Sequence, residues 1–297
     1  MWKLKVNAYL CGHNTIHYLL FRNMDNGKKK IHFVKMHGLG NDDIYVDTEF
    51  NTIPDPSKAS IAWSKPHTGI GSDGLILIGR SPEADFTMRI INADGLEGQM
   101  CGNASRCLGK YVYERGLTRK TTISMLTRAG IKMLYLDVDD NDMVQSVTVD
   151  LMEPVLADTT QFLTEGEQLP DGVFVSIGNP NYVIFVDDIN DIDLAKVGPV
   201  LEFHSRFPQR CNIEFAQVLG PNEIRMRVWE RGSGITMACG TGACATLVAA
   251  VVSDRTERSS KIIMDGGTLN IEWRESDNHL YMTGPATTVF EGDIELP

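Results

Sequence analysis

Two Cys-Gly steps, one in each half of the chain, stand at the start of segments with helical periodicity. Residues 100–107 read MCGNASRC, and residues 238–244 read ACGTGAC. The apolar residues that follow recur every three to four positions, which predicts helices over 103–114 and 241–253. A cysteine at a helix start lies at the positive end of the helix dipole. Two matched cysteines therefore suggest a pair of thiols that face each other across a small reactant.

Short strand patterns separated by turn residues fill most of the remaining chain from residue 31 onward. The order strand, loop, Cys-Gly step, helix occurs in both halves, and a divergent duplication explains it most simply. The pattern predicts an α/β (α+β) protein of two similar units that pack as near mirror partners around a cleft. The predicted strands are 31–36, 43–47, 75–78, 87–92, 122–125, 131–138 and 146–151 in the first half, and 173–177, 182–186, 213–219, 223–229, 261–264, 269–273 and 280–283 in the second.

Charge and apolar patterning exclude several classes of partner. The 297 residues carry a formal net charge of −11, which disfavours nucleic acid, because phosphate binding needs clustered Lys and Arg. The apolar runs 74–78 and 243–252 are shorter than the roughly 18–20 residues that span a bilayer. We therefore expect a small-molecule partner, and neither nucleic acid nor membrane.

The cysteine spacing predicts neither a disulfide framework nor a metal site. Six cysteines in a chain of this length are too few for a disulfide scaffold, so a reducing cytoplasm is the expected location. The spacings CxxxxxC and CxxxxC do not match those of zinc-binding motifs. Cysteine is often only a small buried apolar residue. Cys107 and Cys244 fall on the apolar helix faces and are expected in the core, whereas Cys101 and Cys239 precede the helices and are candidates for chemistry.

The stretch 69–74, GIGSDG, matches the GxGxxG fingerprint of dinucleotide-binding proteins. That fingerprint requires a strand before it and a helix after it. Here SKPHT precedes it and the strand-like LILIG follows it, so the sequence predicts a turn entering a strand. We therefore expect no nicotinamide cofactor.

Several polar residues near these motifs could bind an amino-acid substrate. Glu230 and Arg231 come shortly before Cys239, and a Gly-Ser-Gly turn at 232–234 could fold them toward it. An adjacent Glu and Arg more commonly form a surface ion pair. Asparagines beside Gly or Cys are often only turn residues. Several converging amides nevertheless suit a ligand with carboxylate and ammonium groups, and the candidates are Asn92, Asn103, Asn179 and Asn212.

A set of ordered motifs from about residue 31 to 296 resembles the diaminopimelate epimerase family. The motifs are MHGLGND (36–42), NADG (92–95), MCGNASRC (100–107), GNP (178–180), NIEF (212–215), ERGSGITMACGTGAC (230–244) and MTGPATTVFEGDIEL (282–296). The resemblance implies two α/β domains, each with a mixed sheet wrapped around a central helix and with the active site between them. It also implies an enzyme without a cofactor, usually a homodimer. With it we predict domains at 31–148 plus 286–297 and at 149–285, and an N-terminal extension of unassigned role at 1–30.

The resemblance implies that Cys101 and Cys239 are the catalytic pair, one removing a proton while the other delivers one to the opposite face. It implies that Glu230 holds the reacting ammonium. Backbone amides at the helix starts would hold the reacting carboxylate, in place of a pyridoxal electron sink. The residues assigned to that carboxylate are Gly102, Asn103, Gly240 and Thr241, and those assigned to the distant amino-acid head are Asn41, Asn92, Asn179, Asn212 and Arg231.

Two positions depart from the family pattern. The family usually has a histidine after GNP, where this chain has Asn181, and the motif CGNGxRC reads CGNASRC, with Ala104 and Ser105. An amide does not titrate near neutral pH as imidazole does. The leading hypothesis is interconversion of LL- and meso-diaminopimelate in lysine and peptidoglycan biosynthesis. A related racemase of another amino acid, such as histidine, and a catalytically silent binding protein remain alternatives.

Overall fold

The computed structural model describes residues 24–25, 28–156 and 168–297. Its helices are α1 (Pro56–Trp63), α2 (Gly102–Glu114), α3 (Leu194–Glu202) and α4 (Gly240–Val252), with a short 3₁₀ helix at Ile189–Asp191. The strands are β1 (Met24–Asp25), β2 (Lys28–Gly38), β3 (Asn41–Asp47), β4 (Gly74–Gly79), β5 (Phe86–Asn92), β6 (Thr122–Thr127), β7 (Gly130–Val138), β8 (Val144–Asp150), β9 (Val173–Ser176), β10 (Pro180–Phe185), β11 (Asn212–Gly220), β12 (Glu223–Glu230), β13 (Gly234–Thr236), β14 (Ser259–Met264), β15 (Gly267–Trp273), β16 (Leu280–Gly284) and β17 (Thr287–Glu295).

The two halves of the sheet have the same pairing order. From β2 to β8, consecutive strands pair antiparallel, parallel, antiparallel, parallel, antiparallel and antiparallel. The path β9–β10–β11–β12–β14–β15–β16 repeats that order. An antiparallel pairing of β8 with β16 joins the halves, and β17 returns to pair with β2. The predicted pseudo-symmetric α/β fold is confirmed.

Helices α2 and α4 form the centres of the packing. Helix α4 reads GTGACATLVAAVV, which is apolar on nearly all sides, and a helix of this kind is enclosed by other elements. Leu247 and Val248 are fully buried in the same core cluster as Leu108 and Val112 of α2. Cys107 and Cys244 lie in this core too, each with no exposed surface, as predicted.

All the predicted strands and both predicted helices are present, but some elements were missed. Asp55 is the N-cap residue of helix α1, and its side chain accepts a hydrogen bond from the Lys58 amide. Pro56 occupies the first helical position. Helix α3 contains Pro199, which disrupts a helical pattern, and packs Gly198 against the Trp229 ring. Strand β17 has mostly exposed side chains, so it lacks an alternating apolar pattern. As predicted, residues 69–74 lead directly into strand β4.

Only part of the predicted N-terminal extension falls in the described residues. Met24–Asp25 form β1, which pairs antiparallel with the start of β2. Residues 1–23 and 26–27 lie outside the described residues, as does 157–167. No helix in the described part of the chain combines the length and the apolar character needed to cross a membrane.

Candidate active site

Met282 lies between the two Cys-Gly steps. A Cβ atom at Gly102 would lie 2.6 Å from Met282 Cε, and one at Gly240 would lie 2.9 Å from Met282 Sδ. Both glycines therefore leave room for one fully buried methionine. Asn103 Nδ2 also donates a hydrogen bond to the Ala238 carbonyl (3.4 Å), which joins the two loops directly. The N-terminal ends of α2 and α4 consequently meet in one place.

Each thiol caps its own helix. Cys101 is the N-cap residue of α2, and its Sγ accepts from the Ala104 amide at 3.5 Å. Cys239 is the N-cap residue of α4, and its Sγ accepts from the Gly242 amide at 3.4 Å. Cys239 is buried, with 5 % of its surface exposed, while Cys101 is half-buried. The local geometry is thus the same at both thiols, since a sulfur replaces the usual hydroxyl or carboxylate cap.

Burial, and not the helix end, dominates the acidity of both thiols. It raises the pKa of Cys101 to about 12, and nearby Asp43 adds to the rise although backbone amides oppose it. Burial likewise raises the pKa of Cys239, and the carboxyls of Glu230 and Glu214 add to the effect. A positive helix end by itself lowers the pKa of a thiol, and here burial outweighs that effect. Burial therefore favours the neutral thiol form of both groups.

Glu230 lies within electrostatic reach of both thiols, because it raises the pKa of each. It ends strand β12, and the Thr236 hydroxyl on the adjacent strand β13 donates to its Oε1. Burial raises the pKa of Glu230 itself, while the contacts with Thr236 and Cys239 oppose the rise. Arg231 points elsewhere, and its guanidinium donates to the Gln209 carbonyl at 3.0 Å. Of these two neighbouring residues, only Glu230 therefore lies beside the thiols.

A chain of amides surrounds Cys239. Asn181 donates to the Asn179 carbonyl (2.9 Å) and accepts from Asn212 Nδ2 (3.0 Å). Asn212 Nδ2 also lies 4.0 Å from Cys239 Sγ. Asn179 Nδ2 donates to Thr241 Oγ1 (3.2 Å), while its buried Oδ1 has no hydrogen-bond partner. Because a buried carbonyl oxygen without a donor is costly, Asn179 presents an acceptor suited to a ligand.

Of two further predicted residues, Asn41 lies near Cys101 and Asn92 lies two strands away in the same sheet. The Cys101 thiol contacts Asn41 Oδ1 at 3.5 Å, and Asn41 Nδ2 donates to Asp73 Oδ2 at 2.9 Å. Asn92 ends β5 and pairs with Gly74, which in turn pairs with Asp43 on β3. The side chain of Asn92 is exposed. Asn41 on β3 and Asn92 on β5 therefore lie at the same end of the sheet, on the two strands that flank β4.

Arg106 is a central residue that the motif reading did not single out. It has no exposed surface, donates to Asn103 Oδ1 at 2.9 Å and to the Pro285 carbonyl at 3.1 Å. It thereby ties α2 to the segment that follows β16. The Asn103 side chain is thus engaged at both ends within the protein. Met282 and Arg106 stand in the matched motifs, but only their contacts show that they hold the two loops together.

The fold is one that several solved structures share. A PhzF-family phenazine biosynthesis protein from Bacillus anthracis is 18% identical, with a TM-score of 0.67, and the match covers 90% of this chain and 99% of that one. A hydroxyproline epimerase from Agrobacterium vitis is 14% identical, also with a TM-score of 0.67, covering 89% and 91%. These matches define the structural class by its fold alone: an α/β fold that a PhzF-family protein and a hydroxyproline epimerase share.

The chain belongs to the diaminopimelate epimerase family. The model of that family, described as diaminopimelate epimerase, matches residues 33–156 and 173–289. A protein named diaminopimelate epimerase from Bacteroides thetaiotaomicron is 59% identical over 267 residues, covering 90% of this chain and 98% of its own. Those from Parabacteroides distasonis and Methanococcus maripaludis are 57% and 49% identical, covering 90% and 89% of this chain and 99% of their own.

Proposed function

We propose that this protein is an isomerase that interconverts LL- and meso-diaminopimelate, in lysine and peptidoglycan biosynthesis. The observation that carries the proposal is the meeting of two helix-capping thiols, Cys101 and Cys239, around Met282 with one shared carboxylate, Glu230. The 57–59% identity to proteins named diaminopimelate epimerase supports the choice of substrate.

In this proposal the thiols work as a base and an acid on opposite faces of one carbon. The thiolate of one cysteine takes the α-proton and becomes a thiol, while the other thiol gives its proton to the carbon and becomes a thiolate. The proton count of the pair is therefore unchanged, and the reverse reaction exchanges the roles. Since burial raises the pKa of both thiols, a thiolate needs a bound cation nearby. The substrate's own ammonium group supplies that charge.

The reacting amino-acid head binds between the two helix starts. The amides of Gly102, Asn103, Gly240 and Thr241 donate to its carboxylate, where the helix dipoles favour negative charge. They also stabilise the carbanion-like transition state, whose new charge moves onto that carboxylate. Glu230 accepts from the ammonium. The partnerless Asn179 Oδ1, which is assigned to the distant head, can accept a hydrogen bond from the ammonium of that head.

The distant amino-acid head is read by the remaining polar side chains of the site, two of which, Asn41 and Asn212, also lie beside a thiol. Asn41 and Asn92 approach from the first half, and Asn212 approaches from the second. The backbone amide of Arg231 donates to Asn212, and its guanidinium leaves the Gln209 carbonyl to reach the substrate carboxylate. An arginine can bind a carboxylate with two parallel hydrogen bonds. A substrate without a second head would leave these polar groups unpaired, which disfavours simple apolar amino acids.

The direct test is to incubate purified protein with LL-diaminopimelate and to follow meso-diaminopimelate by chiral chromatography. L-Lysine, which lacks the second carboxylate, and L-histidine serve as comparison substrates. We expect rapid conversion of diaminopimelate and little or none of the other two. Faster racemisation of histidine or lysine would overturn the substrate assignment, and no turnover of any of them would indicate a binding protein.

Asn181 takes the place of the family histidine and is expected to position substrate-binding amides. Its side chain is fully buried and joins Asn179 to Asn212. Replacing it in Asn181→Ala leaves Asn212 Nδ2 without that partner, and KM for diaminopimelate should rise about tenfold with a smaller change in kcat. Steady-state kinetics measure both. The exposed Asn190→Ala is the control, and an unchanged KM in Asn181→Ala would contradict the positioning role.

We further propose that the domains are 31–148 plus 286–297 and 149–285, with an extension at 1–30 whose last residues, 28–30, already form the start of β2. The return of β17 to β2 supports placing the C-terminal strand with the first domain.

We also propose a homodimer that works in the cytoplasm. Val289 and Phe290 on β17 are about half exposed, which supports a protein interface there, and the five free cysteines of the described residues suit a reducing compartment. Analytical ultracentrifugation tests the dimer.

A further inference from the structure

A buried carboxyl group lies beneath the first helical turn next to each thiol, and the mechanism above uses neither. Asp43 has 1 % of its surface exposed and lies beside Cys101, while Glu214 has none exposed and lies beside Cys239. Buried carboxyls in proteins are normally paired with a cation or hydrogen-bonded throughout. These two are not, so each has an effect on its thiol that depends on its protonation state.

Asp43 stands in strand β3 between two residues that contact helix α2 or its N-cap cysteine. Alternate residues of a strand share one face. Asn41 contacts Cys101 Sγ at 3.5 Å, and Tyr45 donates from its hydroxyl to the Ala104 carbonyl at 3.5 Å. Asp43, two residues from each of them, faces the same first turn of α2. Its Oδ2 is buried and has no hydrogen-bond partner.

The groups around Asp43 favour its neutral form. Burial is the largest cause and raises its pKa to about 8. The carboxyls of Asp73 and Asp42 add to the rise, and only Lys35 opposes it. That lysine is engaged with Asp42 and with the Gly71 carbonyl. From α2, the groups that couple to Asp43 are Cys101 and Cys107, and from its own strand Tyr45.

Glu214 lies against the first turn of α4. A Cβ atom at Gly242 would lie 2.7 Å from Glu214 Oε1 and 3.3 Å from Cys239 Sγ, so carboxyl and thiol approach the same point of the helix. No polar side chain of the described residues hydrogen-bonds either oxygen. Burial and the neighbouring Glu230 raise the pKa of Glu214, which the backbone amides of Glu214 and Tyr182 oppose. Cys211 is coupled to the same carboxyl.

The two carboxyls are not counterparts in the internal repeat. In the matched pairing order, β3 corresponds to β10 and β11 corresponds to β4. Asp43 is on β3, whereas Glu214 is on β11. Both halves therefore have a buried carboxyl beside the thiol, but they place it on different strands. The duplicated fold alone does not explain this similarity.

We propose that Asp43 and Glu214 are positioning residues through which pH controls proton loss from Cys101 and Cys239, and that the active enzyme holds both carboxyls protonated. When Asp43 ionises, its proton leaves to solvent and a negative charge remains beside Cys101. A second negative charge on that sulfur then costs more, because like charges oppose each other. Catalysis should therefore decline as pH rises through about 8. This proposal rests on the proposed function only for its link to turnover.

The test measures thiol alkylation, which needs no substrate. Wild-type protein is treated briefly with iodoacetamide from pH 6 to 10, and mass spectrometry gives separate rates for Cys101 and Cys239. Asp43→Asn is nearly isosteric and cannot ionise. At pH 9, Cys101 of this variant should be alkylated about tenfold faster than Cys101 of the wild type, and at pH 6 the two rates should be equal. Cys239 should change little. Glu214→Gln should accelerate Cys239 instead, at any pH where wild-type Glu214 is ionised.

The matched control is Asp47→Asn, because Asp47 lies on the same face of β3, four residues further along, and caps the Glu49 amide. It should leave both alkylation profiles unchanged. The pH dependence of Cys101 alkylation in the wild type is a second test that needs no variant. Above about pH 8, this rate should increase less than tenfold per pH unit. Equal Cys101 rates in Asp43→Asn and wild type at pH 9, or a wild-type profile with no such flattening, would overturn the proposal.

Epimerase assays on the same samples separate the two proposals. If the wild type turns over diaminopimelate, Asp43→Asn should retain activity at pH 9 where the wild type has lost it. If the wild type has no epimerase activity, the proposed function fails, while the alkylation profiles still decide whether the carboxyls control the thiols. A structural role alone would lower activity equally at pH 6 and pH 9.

Discussion

Replacing either Cys101 or Cys239 with alanine is expected to lower kcat for diaminopimelate epimerisation by about 10³-fold. Inversion needs a proton acceptor on one face and a donor on the other, and a positioned acid or base typically contributes 10²–10⁴-fold. Since both groups act in the same step, the double variant should be little worse than either single variant. Initial rates measured by chiral chromatography in both directions test this.

Cys107→Ala and Cys244→Ala are the matched controls, because each removes a thiol from the same helix at a site in the core. They should lower the melting temperature and leave kcat within a few-fold of wild type. Circular dichroism of all four variants shows whether the fold is kept. Activity in Cys101→Ala or Cys239→Ala close to that of wild type would contradict the two-thiol mechanism.

Glu230→Gln is expected to lower kcat/KM about 100-fold. The amide keeps the size of the side chain and can still bond Thr236, but it removes the negative charge beside both thiols. A buried ammonium then loses its partner, and losing one member of a buried charge pair typically costs about 2–5 kcal/mol. In addition, without the carboxylate both thiol pKa values should fall, so alkylation of Cys101 and Cys239 should accelerate.

Glu223→Gln is the control for that variant, since Glu223 begins the same strand and is exposed. It should have wild-type kinetics. Faster alkylation together with lower turnover in Glu230→Gln would show that the variant keeps reactive thiols and has lost substrate binding. Turnover of Glu230→Gln equal to wild type would contradict the assigned role of Glu230.

The elements were predictable where local patterns are strong. Alternating apolar residues gave the strands, and the three- to four-residue period gave α2 and α4. Helix α3 was missed because Pro199 and Gly198 are poor helix formers whose cost is offset by packing on Trp229. The pairing order could not be predicted in full, since parallel neighbours such as β12 and β14 depend on long-range contacts.

Parts of the candidate site were visible in the sequence for a similar reason. Cys101 and Cys239 stand in local motifs that repeat, so their equivalence is readable from the chain. Asp43 is indistinguishable in sequence from a surface aspartate beside Asp42, and only the fold shows that it is buried. The pKa of the thiols could not be predicted from the helix starts, because a helix start is local while burial is a property of the whole fold.

The central claim, that two thiols on opposite faces exchange one proton each with the substrate carbon, is tested most directly in deuterated water. Wild-type protein in D₂O is given unlabelled LL-diaminopimelate, and both isomers are analysed by mass spectrometry at early times. The delivering thiol carries solvent deuterium, so the first meso product should contain one deuterium while the remaining LL substrate stays unlabelled. Equal labelling of substrate and product from the start, or an unlabelled product, would contradict the two-thiol account.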